Sequence, residues 1–241
     1  GYFDNEGTAK PAYTGSIPKI DSGSFGLATG EATGSAPAEF YENISNTNIQ
    51  GLEATDYSTA FDLLKNKDEY VYNTITAPLN TLIANTQNRG DAIVVLDVED
   101  YGATITSTVN AANALNSSYA ATYWPWVQIT NPNTGKLNWV PASTLIPGVY
   151  TFNDNAAEPW FAPAGINRGG LSTVIRPERK LQRADRDTLY ENNVNPIANF
   201  PATGPVVFGQ KTLQKKASAL DRVNVRRLLI ALKSYIGQVA N

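Results

Sequence analysis

Hydrophobic positions along this 241-residue chain change their spacing from segment to segment, and the changes predict alternating helices and strands. Residues 92–98, Ala-Ile-Val-Val-Leu-Asp-Val, are nearly continuously apolar, as in a strand buried on both faces of a parallel sheet. Ahead of them, residues 71–78 read as a strand closed by Pro78. Residues 79–88 read as a helix with Leu79, Leu82, Ile83 and Thr86 turned inward and Arg89-Gly90 as its stop. Further upstream, Thr55 or Asp56 caps a helix that carries Tyr57, Ala60, Phe61 and Leu64 on one face and ends at Asn66 and Lys67.

Downstream the alternation continues. Residues 105–115 form a helix of small residues, and 119–129 a third strand region. Residues 131–136 make a turn from which 136–140 return as a hairpin arm. Pro141 opens a further helix, with Ser143 and Thr144 near its start. Past Leu171 the character changes: Arg and Lys crowd 176–186, and 200–211 read as a turn and a short strand. The clearest helix closes the chain. Ser218 caps it with Asp221 at N3. At about 100° per residue, Val225, Leu228, Leu232, Ile236 and Val239 share one face, the expected core face, and Arg222, Arg226 and Lys233 another. No internal repeat and no coiled-coil heptad is present. Strands alternating with helices imply βαβ crossovers, so the fold class is α/β, with a mainly parallel sheet flanked by helices.

The first 40 residues lack periodicity. Gly recurs at 15, 23, 26, 30 and 34 among Ser, Thr, Ala and Pro. This reads as loops and short strands, either a flexible surface segment or the stub of a neighbouring domain. The first residues also lack an initiator Met and the basic and apolar regions of a signal peptide, so the chain reads as a fragment or a processed product.

Composition narrows the chemistry. At 42% apolar and 17% charged residues, the chain has the means to bury a core. A net charge of −3 argues against a dedicated nucleic-acid binder, and no apolar run reaches the roughly 18 residues that span a bilayer. There is no His and no Cys. Ser-His-Asp and Cys-His catalysis are therefore excluded, together with thiolate metal sites and disulfides. No phosphate-binding loop motif occurs. The expectation is a non-enzyme with no catalytic residue, no cofactor and no metal.

Some constellations still merit weighing. Asp97-Val-Glu-Asp100 ends the apolar strand, where α/β sheets place ligands, and its alternating carboxylates suit a hard cation; the plainer reading is a polar strand end leaving the core. Tyr123-Trp-Pro-Trp126, extended by Trp139 and Trp160, is a sugar platform or, more simply, packing. Together these support the only enzymatic alternative, a carboxylate-dependent carbohydrate-active enzyme. Ala164-Gly-Ile-Asn-Arg-Gly-Gly170 lacks the spacing of a dinucleotide fingerprint and reads as a tight turn. The stripe Arg222, Arg226, Lys233 is a solvated face or an interface.

Three segments add a resemblance. Glu158-Pro-Trp-Phe-Ala-Pro-Ala-Gly-Ile-Asn-Arg-Gly-Gly-Leu171, then Arg186-Asp-Thr-Leu-Tyr-Glu-Asn-Asn-Val-Asn-Pro-Ile197, then Asp221-Arg-Val-Asn-Val-Arg-Arg-Leu-Leu-Ile resemble, in that order, the core of tail sheath proteins of contractile-tailed, T-even-like bacteriophages. The likeness covers roughly residues 48–241. It implies a subtilisin-like α/β sheath domain over 48–170, subtilisin-like in topology only, and an α+β C-terminal sheath domain beginning at 171, with 1–47 as the stub of a neighbouring sheath domain. It implies a structural virion protein that polymerises in hexameric rings around a tail tube and contracts to drive the tube through the host envelope during genome ejection. The sheath of a bacterial contractile injection system or bacteriocin is the nearest alternative. Implied partners are other sheath subunits, the tube protein, the baseplate and the tail terminator, with no membrane and no nucleic acid; implied localisation is the virion, after assembly in the host cytoplasm. Trp160, Pro163, Gly165, Asn167, Arg168 and Gly169 form the family's motif turn. The resemblance also favours Arg222, Arg226 and Lys233 as contacts to the tube or a neighbouring subunit.

Overall fold

In the computed structural model, which describes residues 61–76 and 80–240, the strand signals converge on one five-stranded sheet. The expectations for residues 1–60, Pro78 and Leu79 lie outside the described residues. Contacts separate the chain into two units, Gly1–Leu63 and Leu64–Asn241; the architecture below is that of the second. Its elements run β1 (Thr74–Thr76), α1 (Thr81–Arg89), β2 (Ile93–Leu96), α2 (Ile105–Asn113), β3 (Ala120–Trp124), β4 (Val127–Thr130), β5 (Leu137–Val140), a 3-10 turn (Ala142–Thr144), α3 (Ile146–Ala156), β6 (Val174–Pro177), α4 (Arg183–Glu191), β7 (Val194–Phe200), β8 (Gly204–Val207), a second 3-10 turn (Ala219–Asp221) and α5 (Val223–Val239).

The sheet order is β1-β2-β3-β7-β8. The first four strands are parallel, with Val94 opposite Ala120 and Thr122 opposite Val194; β8 returns antiparallel to β7. The mainly parallel expectation holds, and β2 is buried throughout. Ile93 and Val95 on one face pack with Tyr123, Ile146, Val149, Tyr150, Val223 and Ile230, so α3 and α5 cover that face. α2 and α4 contribute nothing to that cluster and contact each other. The expected strand region 119–129 divides: across the cis Trp124–Pro125 bond the chain leaves the parallel sheet and enters an antiparallel one of order β5-β4-β6. Residues past 171 therefore supply β6 to one sheet and β7 and β8 to the other, within the unit Leu64–Asn241.

Local rules account for most boundaries. α1 stops at Gly90, whose φ of 67° lets its N–H reach Thr86 O at 2.8 Å. α2 starts at a reciprocal cap between Thr104 and Ser107. β7 carries no apolar alternation, yet it lies inside the sheet. Its Pro196 is tolerated because pairing with β3 ends there, opposite Trp124, so no donor is missed. Asn195, fully buried, donates to Thr122 O (3.0 Å) and Lys211 O (2.8 Å) and accepts from Lys211 N (2.6 Å), fastening segment 210–213 to the strand.

Two expectations for the last helix are corrected. Ser218 caps only the 3-10 turn, accepting from Leu220 N, and α5 begins at Val223. Arg222 is extended because its neighbours pair with 210–212: Thr212 N donates to Asp221 O (2.9 Å) and Val223 N to Gln210 O (2.8 Å). The buried face of α5 is Val223, Arg226, Arg227 and Ile230, while Leu232, Ile236 and Val239 are exposed, along with Leu229 and Tyr235. The two arginines find rings and polar partners on the body, and these decide which face turns inward. Ile230→Ala should therefore cost about 2–4 kcal/mol and Leu232→Ala less than about 1 kcal/mol, as measured by urea unfolding of the purified chain. Equal losses would mean that the helix is rolled otherwise.

Candidate functional site

The motif segments meet around the start of α5. Leaving α3, the chain turns through Glu158 to Gly170. Asn153, fully buried, donates to Glu158 O (3.3 Å) and Phe161 O (3.2 Å) and shapes the exit. Pro163 is buried. Gly165 adopts φ 86°, and its N–H donates to Val207 O at 2.8 Å, while Val207 N donates back to Gly169 O at 2.7 Å. A Cβ on Gly169 would lie 2.5 Å from Val207 O, so only glycine fits against β8. The tight-turn reading of 164–170 holds. Arg168 rests on the Phe161 ring at 4.9 Å. Asn167 is exposed and Trp160 half-exposed, but the Trp160 carbonyl accepts from Asn224 Nδ2 at 2.9 Å. One motif thus holds the other.

Within α5 each polar motif residue has its own anchor. Arg227 forms a two-pronged pair with the Asp154 carboxylate, one contact at 2.9 Å, and lies over the Tyr150 ring at 4.6 Å. Beneath it the Tyr150 and Tyr123 hydroxyls are bonded at 2.8 Å. Burial pushes the Tyr150 hydroxyl up to about 12, so the pair stays neutral. Arg227 was not singled out from the sequence; the signal for it was the doubled Arg at 226–227, of which only the first fell on the basic stripe.

The stripe Arg222, Arg226, Lys233 does not stand together in solvent. Arg226 is buried, with its guanidinium 3.9 Å from the Tyr119 ring centre and donating to Ser118 Oγ. Lys233 reaches back to Gly90 O at 3.5 Å. Arg222 lies ahead of the helix, paired with Asp221 at 3.0 Å and partly exposed. Arg226 thus faces the body, Lys233 and part of Arg222 stay exposed, and the aliphatic residues Leu229, Leu232, Ile236 and Val239 face out.

Asp97 accepts from Ser143 N (3.2 Å) and Ser143 Oγ, which ties the end of β2 to the turn before α3. It borders a cleft of about 520 Å³ with Glu99, Asp100 and Trp126. Among the described residues no three acidic groups stand close enough to hold a metal. The tryptophans scatter: Trp124 is buried, Trp126 and Trp139 both contact Tyr101, and Trp160 belongs to the motif turn. Among the described residues no helix is long and apolar enough to cross a membrane.

The polar residues of the motif segments are thus spent on fixing a surface helix to a helix-flanked, mainly parallel sheet. The chain belongs to the phage tail sheath family: residues 50–213 match the model for the phage tail sheath protein central domain. It is similar to the tail sheath protein of Vibrio phage KVP40, 31% identical over 99% of this chain and 38% of that protein, and to that of Enterobacteria phage T4, 40% identical over 42% of this chain and 15% of that protein. The chain thus spans well under half the length of these relatives. Among solved structures it is similar to the contracted helical sheath of the anti-feeding prophage (25% identical, TM-score 0.57, 77% of this chain and 52% of that one). It also shares its fold with the contracted sheath of an extracellular contractile injection system (24% identical, TM-score 0.58, 70% of this chain and 47% of that one).

Two measurements test this geometry. Gly169→Ala should destabilise the chain by about 1–3 kcal/mol, since backbone must move to clear the new methyl; an unchanged urea midpoint would show that the turn yields freely. Asp97 titrates above its ordinary value of 3.8, chiefly because burial penalises the charge, against which the bonds from Ser143 pull it down. That penalty is absent below the unfolded value and grows as pH rises through the folded one. Asp97→Asn should therefore be more stable than wild type near pH 7 and lose that advantage near pH 3, read as the difference in urea midpoints.

Proposed function

We propose that this chain is part of the subunit of a phage contractile tail sheath, which polymerises around the tail tube and contracts to drive it through the host envelope. The observation that carries the reading is the family match over residues 50–213, to which the interlocked motifs at Trp160 and Asn224 give a structural sense. The greater identity to phage sheath proteins than to injection-system sheaths favours a phage. On this reading the protein is structural and not an enzyme, the parallel sheet is the subtilisin-like sheath domain, and the region from 171 begins the C-terminal sheath domain. Its partners are other subunits, the tube, the baseplate and the terminator; it is assembled in the host cytoplasm and resides in the virion. Electron microscopy of the complete protein tests this: ordered tubes of helically stacked rings are expected, and a protein that stays dispersed with tube and baseplate supplied would overturn it.

The mechanical reading follows from how α5 is mounted. Contraction needs subunits that move as rigid bodies between discrete contacts. The first half of α5 is fixed by Asn224, Arg226 and Arg227, and its second half is exposed from Ala231 to Ala240. Within the basic stripe, Arg222 and Lys233 are the candidates for contact with the tube or a neighbouring subunit, and Arg226 supports them from behind. In the complete protein, Arg222→Glu with Lys233→Glu should leave the fold intact but impair extended sheaths, because exposed charges contribute little to stability and guide pairing at interfaces. Arg226→Glu should instead lower the stability of the subunit itself. Normal sheaths at ordinary salt from the double variant would remove these residues from the interface.

A further inference from the structure

We infer that residues 64–73 form a strap latched to the body by one side chain, Arg89, and that this latch sets how much chain is free ahead of β1. Arg89 ends α1 and is only 2% exposed. A guanidinium carries five N–H donors, and all five are used. Nε and Nη2 grip the Asp91 carboxylate at 2.9 and 3.0 Å, Nη1 donates to Leu64 O and, at 3.3 Å, to Asn66 O, and Nη2 donates to Tyr70 O at 2.8 Å. The Tyr72 ring covers the cation at 4.2 Å, and its hydroxyl donates to Leu64 O at 3.2 Å. Three backbone carbonyls spread over seven residues thus converge on one cation.

The strap lies at the surface. None of its residues is buried, and Val71 is 92% exposed. It has no apolar side chain in the core, and it is pinned at its far end by Ile93 N donating to Asn73 O at 3.0 Å. A buried guanidinium that loses one partner leaves an unpaired donor away from water, which favours loss of the rest together. The strap should therefore open as a unit. Opening would release about ten residues ahead of β1, with an extended reach of up to about 33 Å. It would also dismantle one wall of the cleft that Val71, Tyr72 and Asn73 share with Ile230 and Ser234 of α5.

Hydrogen exchange on the 241-residue chain tests the latch. Arg89→Met keeps an unbranched stem and removes every donor. Amides of 64–73, Tyr70 above all, should exchange at least about tenfold faster than in wild type, while those of β2 and β3 keep their protection. Unchanged protection of the strap would overturn the latch, and so would equal loss in strap and sheet, which would make Arg89 an ordinary core residue. Should the variant not fold, exchange of the wild-type chain in low urea decides the matter: the strap amides should open below the unfolding transition with a weaker urea dependence than those of Val94 and Val95, and opening only together with the sheet would sink the proposal.

Discussion

Guanidinium groups resting on aromatic rings attach the outlying parts of this molecule to its sheet, and the placement of the exposed surfaces depends on them. Arg227 lies on Tyr150, Arg226 on Tyr119, Arg89 on Tyr72, and Arg186 is shared between Phe200 and Phe208. Arg168 and Arg179 sit over Phe161 and Trp124. Such contacts are worth about 0.5–2 kcal/mol each, but their larger effect here is directional. An aliphatic face tolerates rolling and sliding. A planar cation fixed to a ring and then to a carboxylate or carbonyl has one seat.

That distinction explains the posture of α5. By apolar content alone the helix would turn Leu228, Leu232 and Ile236 inward. It turns in Val223, Ile230 and the two arginines instead, because removing one partner from the Arg227–Asp154 pair would cost about 3–5 kcal/mol. The aliphatic side is left outside as a consequence. The motif turn serves the same end: with Gly169 against Val207 O and Trp160 O bonded to Asn224, the loop after α3 becomes a bracket for the start of α5. The segment 210–213 braces it from the other side through Asn195 and the extended Arg222.

Much of the sheet was legible in the sequence because its signals are local. The apolar run at 92–98, the Gly90 stop and the hairpin turn at 131–136 each specify backbone with little help from afar. What was not legible depends on partners distant in sequence. β7 reads Val-Asn-Pro-Ile-Ala-Asn-Phe, with no alternation, and becomes a strand because Asn195 bonds across to residue 122 on one side and 211 on the other. The start of α5 was misplaced for the same reason: Ser218 is a sound local cap, overridden by pairing of 221–223 with 210–212. The roll of α5 was misread because periodicity counts Arg as polar, and so as outward. Arg226 and Arg227 are inward, and nothing in the helix itself announces Tyr119, Ser118 or Asp154. The motif turn, by contrast, was identified from sequence as a tight turn, since three glycines among residues 165–170 have few other uses.

The choice of arginine for these joints has a consequence for how the molecule can change state. A guanidinium stays protonated at any pH a protein meets, and the chain contains no histidine, the side chain that ordinarily titrates between about pH 5 and 8. The buried tyrosine pair is held neutral, with Tyr150 near 12. Across the neutral range the joints that fix α5 and the motif turn therefore keep the same charges. A body wired in this way has no imidazole through which acidification could loosen it, so a change of arrangement has to come from outside the joints, through contacts exchanged at the exposed surfaces or load delivered along the chain. Such a body keeps its own shape while the contacts around it are exchanged.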